Sequence, residues 1–196
     1  MQRKVWHPGK VIWSGENPFM RLRRGDKEDV TRLSFFRVVW SPHGEGHALF
    51  ILTDAATDTA NYPLAAQFTD NPPMCQWLYD TLFRSEFWRS RTFRTINARF
   101  SHHGDTRHER IESVVSADYR IELKWLDLRE PAGYCIHDAE KQNEFDLYSI
   151  VIPAGRAEVH VNGRKAQGEP FTQDFGGRPE TTCCLAFSET WVRPPL

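Results

Sequence analysis

An alternation of apolar and polar residues runs through much of this chain and limits it to a fold built from strands. In YRIELKW (119–125), apolar side chains stand at every second position and charged side chains stand between them. Successive side chains of a strand point to opposite faces, so this spacing predicts strands with one buried and one solvated face. The segments FFRVVW (35–40) and ALFILTD (48–54) are apolar on both faces, which predicts more deeply buried strands.

Turn residues separate these strand-like segments. Asn162-Gly163 is a pair favoured in the type I′ turn of a hairpin, because both positions need a positive φ. The segment SPHGEGH (41–47) places a proline and glycines between two apolar segments and predicts a hairpin loop. The polar segment 129–144 predicts a surface loop or a lid. Hairpin connections make neighbouring strands antiparallel, so a mostly antiparallel sheet is expected.

The segment DNPPMCQWLYDTLFRS follows a helical spacing instead. Asp70 or Asn71 stands in the capping position, and two prolines occupy the first helical positions. Met74 and Leu78 begin an apolar series that recurs every three or four residues. An amphipathic helix is therefore predicted near 72–85.

These patterns together predict one mostly β domain over residues 1–196. Its expected form is an antiparallel β-barrel or a strongly curved β-sandwich, with the helix covering a barrel mouth or an open sheet face. Hydrophobic residues make up 40% of the chain, which is enough for one sizeable core. The four cysteines form no Cys-x-x-Cys pair, so free and mostly buried thiols are expected rather than disulfides or a zinc site.

A few residues resemble those of lipocalin barrels. Trp13 lies in an early strand-like segment and Arg193 ends the last one, and in lipocalins a first-strand tryptophan packs beneath a late arginine. The Gly-x-Trp order of that family is absent, since the chain reads Trp13-Ser14-Gly15. The resemblance implies a calycin-like or lipocalin-like shape for the predicted barrel.

Composition and motifs exclude several classes of partner. The formal net charge is −1, so no overall field attracts nucleic acid or a membrane surface. The segment 84–110 is locally basic and aromatic, but no known nucleic-acid-binding signature accompanies it, so aromatic side chains facing the core are the expected explanation. No apolar stretch approaches a membrane span or a secretory signal, so a soluble cytoplasmic protein is expected. No phosphate-binding loop, dinucleotide motif or nucleophile elbow occurs, and no cofactor is expected.

The histidines concentrate in two segments. His102 and His103, beside a glycine and an aspartate, are predicted to lie in a solvated turn with His108 close behind. His43 and His47 flank another glycine-rich segment. Neither spacing holds two imidazoles together on regular structure, so no metal is predicted, although these five residues are the first candidates if one binds.

Acidic residues on apolar strand faces are the strongest sign of chemistry. Glu189 alternates with Phe187 and Trp191, which places a carboxylate among aromatic side chains if that face is interior. Burial raises the pKa of a carboxyl group and suits it to acid–base work or to ligand anchoring. Arg99 is a candidate partner for an anionic ligand. The alternative is a structural salt bridge to Arg99 or Arg193, or a solvated strand end.

Two further groups complete the candidate site. Asp146 and Tyr148 share a strand face and are predicted to join Glu189 as catalytic residues from a neighbouring strand. Tyr62, Gln67 and Trp77 are expected to line a ligand-binding mouth if the helix caps the barrel, with Trp191 beside them.

The resulting hypothesis is a small-molecule-binding β-barrel whose apolar cavity takes a small, anionic organic ligand. Passive binding and cofactor-independent catalysis by a lyase, isomerase or hydratase remain equally open, because sequence patterns do not separate them. The alternative is a non-enzymatic carrier or a protein-interaction module without a ligand cavity. A cavity with a buried carboxylate favours the enzyme, and a filled core favours the interaction module. The oligomeric state stays open.

Overall fold

The structure is a computed structural model that describes residues 11–25, 28–57, 63–83, 85–137, 145–175 and 177–193. It is mostly β, as predicted, and the two α-helices of the described ranges are short. The strands and helices, in chain order, are β1 (Val11–Glu16), β2 (Phe19–Arg24), β3 (Glu28–Trp40), β4 (Gly46–Thr57), β5 (Pro63–Thr69), α1 (Pro72–Leu82), α2 (Glu86–Arg89), β6 (Arg94–Asn97), β7 (Arg99–Asp105), β8 (Glu109–Val115), β9 (Arg120–Leu128), β10 (Ala132–His137), β11 (Asp146–Val161), β12 (Arg164–Lys165), β13 (Thr172–Phe175), β14 (Arg178–Thr181) and β15 (Cys183–Val192).

Thirteen strands form one strongly curved sheet. Its main path runs β6-β5-β4-β3-β1-β15-β11-β9-β8-β7, while β2 pairs with β3 and β15, and β10 and β12 pair with β11. The pairs are antiparallel except β5 with β6. The strands at the two ends of this path, β6 and β7, are separated in the chain by Ala98 alone, whose N–H donates to the Thr69 carbonyl at 2.9 Å. The sheet therefore curves until its first and last strands are consecutive in sequence.

The two faces of the curved sheet carry different cores. Phe35 and Leu49 point into the larger core, to which eight strands contribute buried side chains. Their chain neighbours Phe36 and Phe50 point the other way and pack against Met74 of α1. Because adjacent strand residues alternate, α1 lies on the outer face of the sheet and does not cap a mouth.

The helix begins where the capping residues predicted. The Asn71 side chain accepts a hydrogen bond from the Met74 N–H at 3.2 Å, and two prolines occupy the first helical positions. Helix α1 ends at Leu82, earlier than the pattern suggested, and the short α2 follows. Met74, Cys75 and Leu78 are its buried residues, which confirms the amphipathic pattern.

Turn predictions were confirmed at two positions and wrong at two others. Asn162 and Gly163 have φ of 51° and 80° and join β11 to β12, and residues 41–45 join β3 to β4. The segment predicted as a loop at 129–144 instead contains β10, which pairs with β11, and 138–144 lie outside the described residues. His102 and His103 lie in β7 rather than in a turn, because the ladder to β8 continues to the pair Asp105–Glu109.

The lipocalin-like pairing of tryptophan with arginine does not occur. Trp13 is fully buried and packs edge-on against Phe36 with ring centroids 5.3 Å apart. Arg193 is exposed, and its guanidinium lies 5.7 Å from the ring centroid of Phe145. The four cysteines are free, and Cys135 is the exposed one. Within the described ranges, the helices are too short and too polar to cross a membrane.

Gly15 provides a test of how closely β1 approaches β3. A Cβ atom at this position would lie 2.1 Å from the backbone oxygen of Arg37, so Gly15→Ala forces the two strands apart. We expect a loss of about 3 kcal/mol in the free energy of unfolding, at the upper end of overpacking effects. Urea denaturation measures it. Gly133→Ala in β10 is the matched control, because nothing lies within 4 Å of its Cβ position. Equal stabilities of the two variants would contradict the close approach.

Candidate functional site

A groove of about 370 Å³ lies against the outer face of the sheet, between the end of α1, α2 and the β13–β14 hairpin. Aromatic side chains form much of its wall, and one carboxylate and two guanidinium groups provide its charges. The lining residues are Asn17, Phe19, Arg21, Arg32, Leu33, Ser34, Phe83, Trp88, Leu147, Gln173, Phe175, Glu189 and Trp191. The groove therefore combines apolar walls with a few polar groups, as ligand sites commonly do.

A bulge in β15 directs Glu189 to this outer face. Ser188 has a φ of 50°, and three residues of β15, ending at Thr190, oppose two of β11. Before the bulge, Leu185 points into the inner core, whereas Trp191 after the bulge packs with the outer core. The prediction that Glu189 shares a face with Phe187 was therefore wrong, because the extra residue reverses the alternation.

Glu189 is a buried carboxyl group held by neutral donors. Only 4% of the residue is exposed. Its Oε1 accepts hydrogen bonds from Trp191 Nε1 at 2.7 Å and from Asn17 Nδ2 at 3.1 Å. Asn17 is itself oriented by Ser34, whose hydroxyl donates to Asn17 Oδ1 at 2.7 Å. Burial raises the pKa of Glu189 to about 7 and outweighs the two hydrogen bonds, which act in the opposite direction.

The two arginines of the groove differ in their partners. Arg21 pairs with Asp29 at 2.7 Å and donates to Gln173 Oε1 at 2.7 Å. Arg32 forms no ion pair within 4.0 Å with any described carboxylate, and its guanidinium carbon lies 4.2 Å from the ring centroid of Phe87. Burial and the neighbouring Arg21 lower the pKa of Arg32 to about 10. Arg32 is therefore the cation of this groove whose charge is left unpaired by the described part of the chain.

The structure does not bring Asp146 and Tyr148 to Glu189. Leu147, between them in β11, pairs with Trp191 and lines the groove, so its two neighbours point to the opposite face. Burial raises the pKa of Tyr148, and the neighbouring Cys135 and Asp146 act in the same direction. Asp146 is buried and Tyr148 is half-buried, both away from the groove, and the predicted three-residue catalytic site was wrong on this point.

The predicted ligand-binding residues are scattered in the same way. Trp191 lines the groove, whereas Arg99 is exposed on β7 opposite Val115. Arg99 is therefore no partner of Glu189, because it lies on a strand that contributes nothing to the groove wall.

The three residues expected at a helix-covered mouth do not form one. Gln67 is buried and donates to the Thr95 hydroxyl. Trp77 packs on the exposed His43, with ring centroids 6.0 Å apart. Tyr62 lies outside the described residues. Helix α1 covers the outer face of the sheet, so the described contacts of Gln67 and Trp77 do not form the entrance of a barrel.

Sequence patterns missed Arg32, Asn17 and Ser34. Arg32 and Ser34 alternate with buried Leu33 and Phe35, which is the ordinary pattern of a strand with a solvated face. What covers that face is the segment around Phe83 and Trp88, more than 45 residues away in the chain, and no local pattern predicts it. The available signal in the sequence is the excess of arginine over lysine, 19 against 6, which does not single out Arg32.

A second polar cluster lies at one end of the inner core. Glu112 is fully buried and accepts from Arg37 Nη2 at 3.0 Å and from Arg110 Nε at 2.8 Å. Arg37 also donates to Glu16 at 2.8 Å, and Arg110 lies 3.6 Å from the same carboxylate. We call these four residues the arginine–glutamate network. The network contains two cations and two anions, and the ion pairs between them join β1, β3 and β8.

Two of the histidines attach to this network. His47 Nδ1 lies 2.7 Å from Asp70 Oδ2, and its Nε2 accepts from Arg37 Nε at 3.3 Å. His102 Nδ1 lies 3.0 Å from Arg37 Nη2 and must accept, because a guanidinium only donates. Partial burial lowers the pKa of His102, and Arg110 and Arg37 lower it further. Among the described residues, no group of three or more His, Cys, Asp or Glu side chains is arranged to hold a metal ion.

Glu112→Gln tests the network. Removing this charge leaves the buried Arg110 and the half-buried Arg37 with one remaining carboxylate, Glu16. We expect a loss of roughly 3 to 5 kcal/mol in the free energy of unfolding, as for other broken buried ion pairs. Urea denaturation measures it, with Asp127→Asn as the control because the Asp127–Arg156 pair is exposed. A similar, small effect of both substitutions would contradict a stabilising role for the network.

Glu189→Gln tests the burial of the groove carboxyl group. Folding raises the pKa of Glu189 from 4.5 to about 7, so the folded protein holds this proton more tightly than the unfolded chain does. The contribution of the group to the free energy of unfolding is therefore fully present below about pH 4.5 and is lost as the pH rises through 7. Relative to the glutamine variant, the wild-type protein should lose stability on the order of 3 kcal/mol across this range. Urea denaturation of both proteins from mildly acidic to mildly alkaline pH measures the difference. Parallel stability profiles would contradict burial of an ionisable group.

The groove therefore combines a guanidinium without an ion-pair partner, aromatic walls and a carboxyl group with a raised pKa. In the arginine–glutamate network each guanidinium faces two carboxylates, although one Arg110 nitrogen has no hydrogen-bond partner. Comparison with known proteins finds no matching family model, no matching curated protein and no matching solved structure. The chemistry open to the groove is accordingly inferred from its own side chains.

Proposed function

We propose that this protein binds a small organic anion in the groove that contains Glu189 and Arg32. The observation that carries the proposal is Arg32, a half-buried guanidinium without an ion-pair partner among the described carboxylates. Burying an unpaired charge is unfavourable, and an anionic ligand would remove that cost. A planar guanidinium also suits two-pronged recognition of a carboxylate or a phosphate.

The walls of the groove support an apolar or aromatic body for this ligand. Phe83, Trp88, Phe175 and Trp191 line the space, and Phe175 is fixed by stacking on Phe19 with centroids 5.8 Å apart. A volume of about 370 Å³ is at the lower end of the range of small-molecule sites. A compact aromatic carboxylate fits this combination of size, walls and charge.

A second candidate function is cofactor-independent catalysis by Glu189, in a lyase, isomerase or hydratase. The observation that favours it is the pKa of about 7, because a group that titrates near neutral pH both donates and accepts protons efficiently. In this groove Glu189 would act without Asp146 and Tyr148, which lie on the other face of the sheet. Exchange of a ligand's carbon-bound hydrogen for deuterium, followed by NMR in D₂O, separates catalysis from passive binding.

Arg32→Gln tests the anion site, with 3-phenylpropionate as the probe and isothermal titration calorimetry as the measurement. We expect at least about a tenfold loss of affinity, because a charge-assisted pair to the ligand is removed. The neutral amide 3-phenylpropionamide should bind the wild-type protein correspondingly weakly.

Arg91→Gln is the matched control for this substitution. The Arg91 guanidinium carbon lies 4.3 Å from the same Phe87 ring but does not line the groove, so its loss should leave the affinity unchanged. No binding to the wild-type protein, or equal losses in both variants, would contradict the proposal.

A further inference from the structure

We propose that the groove takes up one proton together with its anionic ligand, with the anion pairing with Arg32 and the proton residing on Glu189. This inference rests on the proposed anion-binding function and adds its regulation, namely an affinity that falls as the pH rises. It also narrows the ligand class to compact aromatic monocarboxylates, because one proton taken up by the groove offsets one negative charge on the ligand.

The charges that surround Glu189 come from few residues. The groove residues from the β1–β2 connection, β2, β3, β11, the helices and β13 are uncharged, apart from Arg21 and Arg32. Arg21 pairs with Asp29 at 2.7 Å, a carboxylate that Arg23 also contacts at 3.2 Å. Arg32 is therefore the cation among the described lining residues that has no ion-pair partner.

This charge count changes when an anion binds. In the free groove, Glu189 and Arg32 line the same space without forming an ion pair. A bound carboxylate at Arg32 would place a second anion in the same confined space, with one cation to serve both. Like charges in a shared site favour protonation of one of them, and the buried carboxyl group is the more easily protonated of the two.

The carboxyl group of Glu189 has a position for this proton. Both hydrogen bonds that it receives from described residues, from Trp191 and from Asn17, end on Oε1. Oε2 is left to carry the proton, which comes from solvent, and no bond to the ligand forms or breaks. Because burial already brings the pKa of Glu189 to about 7, a further rise on binding falls in the neutral pH range.

Calorimetry of the wild-type protein with 3-phenylpropionate tests the inference directly. Titrations at about pH 7.5 in triethanolamine and in Tris, two cationic buffers with different ionisation heats, should show the uptake of about 0.5 to 0.75 proton for each ligand bound. The Kd should be constant below about pH 6 and should rise by up to about tenfold per pH unit above pH 7. The ligand carboxylate stays ionised above about pH 6, so the dependence belongs to the protein.

Glu189→Gln assigns the proton to its residue. The variant carries an amide in place of the protonated carboxyl group, so the buffer dependence of the heat and the pH dependence of Kd should both disappear. Glu180→Gln is the control, because Glu180 lies on the adjoining β14 and does not line the groove. That variant should keep the proton uptake of the wild-type protein.

The possible results separate the inference from the function on which it rests. Binding of 3-phenylpropionate by the wild-type protein without proton uptake would overturn the inference and leave the anion site in place. Unaltered uptake in Glu189→Gln would also overturn it. No binding at any pH would overturn the proposed function itself. If the variant fails to fold, the wild-type titrations in two buffers still decide whether a proton accompanies the ligand.

Discussion

The meeting of β6 and β7 at Ala98 is the constraint on which the rest of the structure depends. One short stretch of chain pairs with β5 through its first half and with β8 through its second half. The strands at both ends of the sheet thereby find backbone partners, and the sheet is held in its strong curvature. Curvature creates an inner face that eight strands fill with buried apolar side chains, and an outer face that other elements must cover.

Two separate elements cover different parts of the outer face, and the groove lies between them. Helix α1 packs on Phe36 and Phe50, whereas the β13–β14 hairpin packs through Phe175 on Phe19. The surface between them keeps its strand-face polar residues, Arg32 and Ser34, but is no longer open to solvent on all sides. An ordinary solvated strand face becomes the polar part of a site because distant segments close around it.

Local patterns predicted the parts of this structure that depend on local physics. Alternation identified the strands, and Asn71 with its following prolines identified the start of α1. The same alternation misplaced Glu189, because one extra residue at Ser188 reverses the faces that follow it. A bulge is selected by strand pairing across the sheet, and a serine with positive φ leaves no recognisable pattern in sequence.

The same limit explains the histidines and the missed arginine. His102 and His103 stand beside Gly104 in a composition typical of turns, yet pairing with β8 extends the strand past them. Gly104 is needed there because a Cβ would lie 2.6 Å from the Glu109 carbonyl oxygen. Arg32 becomes distinctive only through what packs above it. The extension of β7 depends on the register of its ladder with β8, and the surroundings of Arg32 depend on segments distant in sequence.

Two buried carboxylates show how environment assigns different roles to one side chain. Glu112 lies between two guanidinium groups, so ion pairs neutralise its charge, and the pair with Arg37 joins β8 to β3. Glu189 is also buried, but it receives only the N–H groups of Trp191 and Asn17, which carry no charge. Neutral donors orient a carboxyl group without compensating its desolvation, and burial therefore raises its pKa to about 7. A fully paired carboxylate stabilises the fold, whereas a carboxyl group oriented but not neutralised stays free to respond to a ligand.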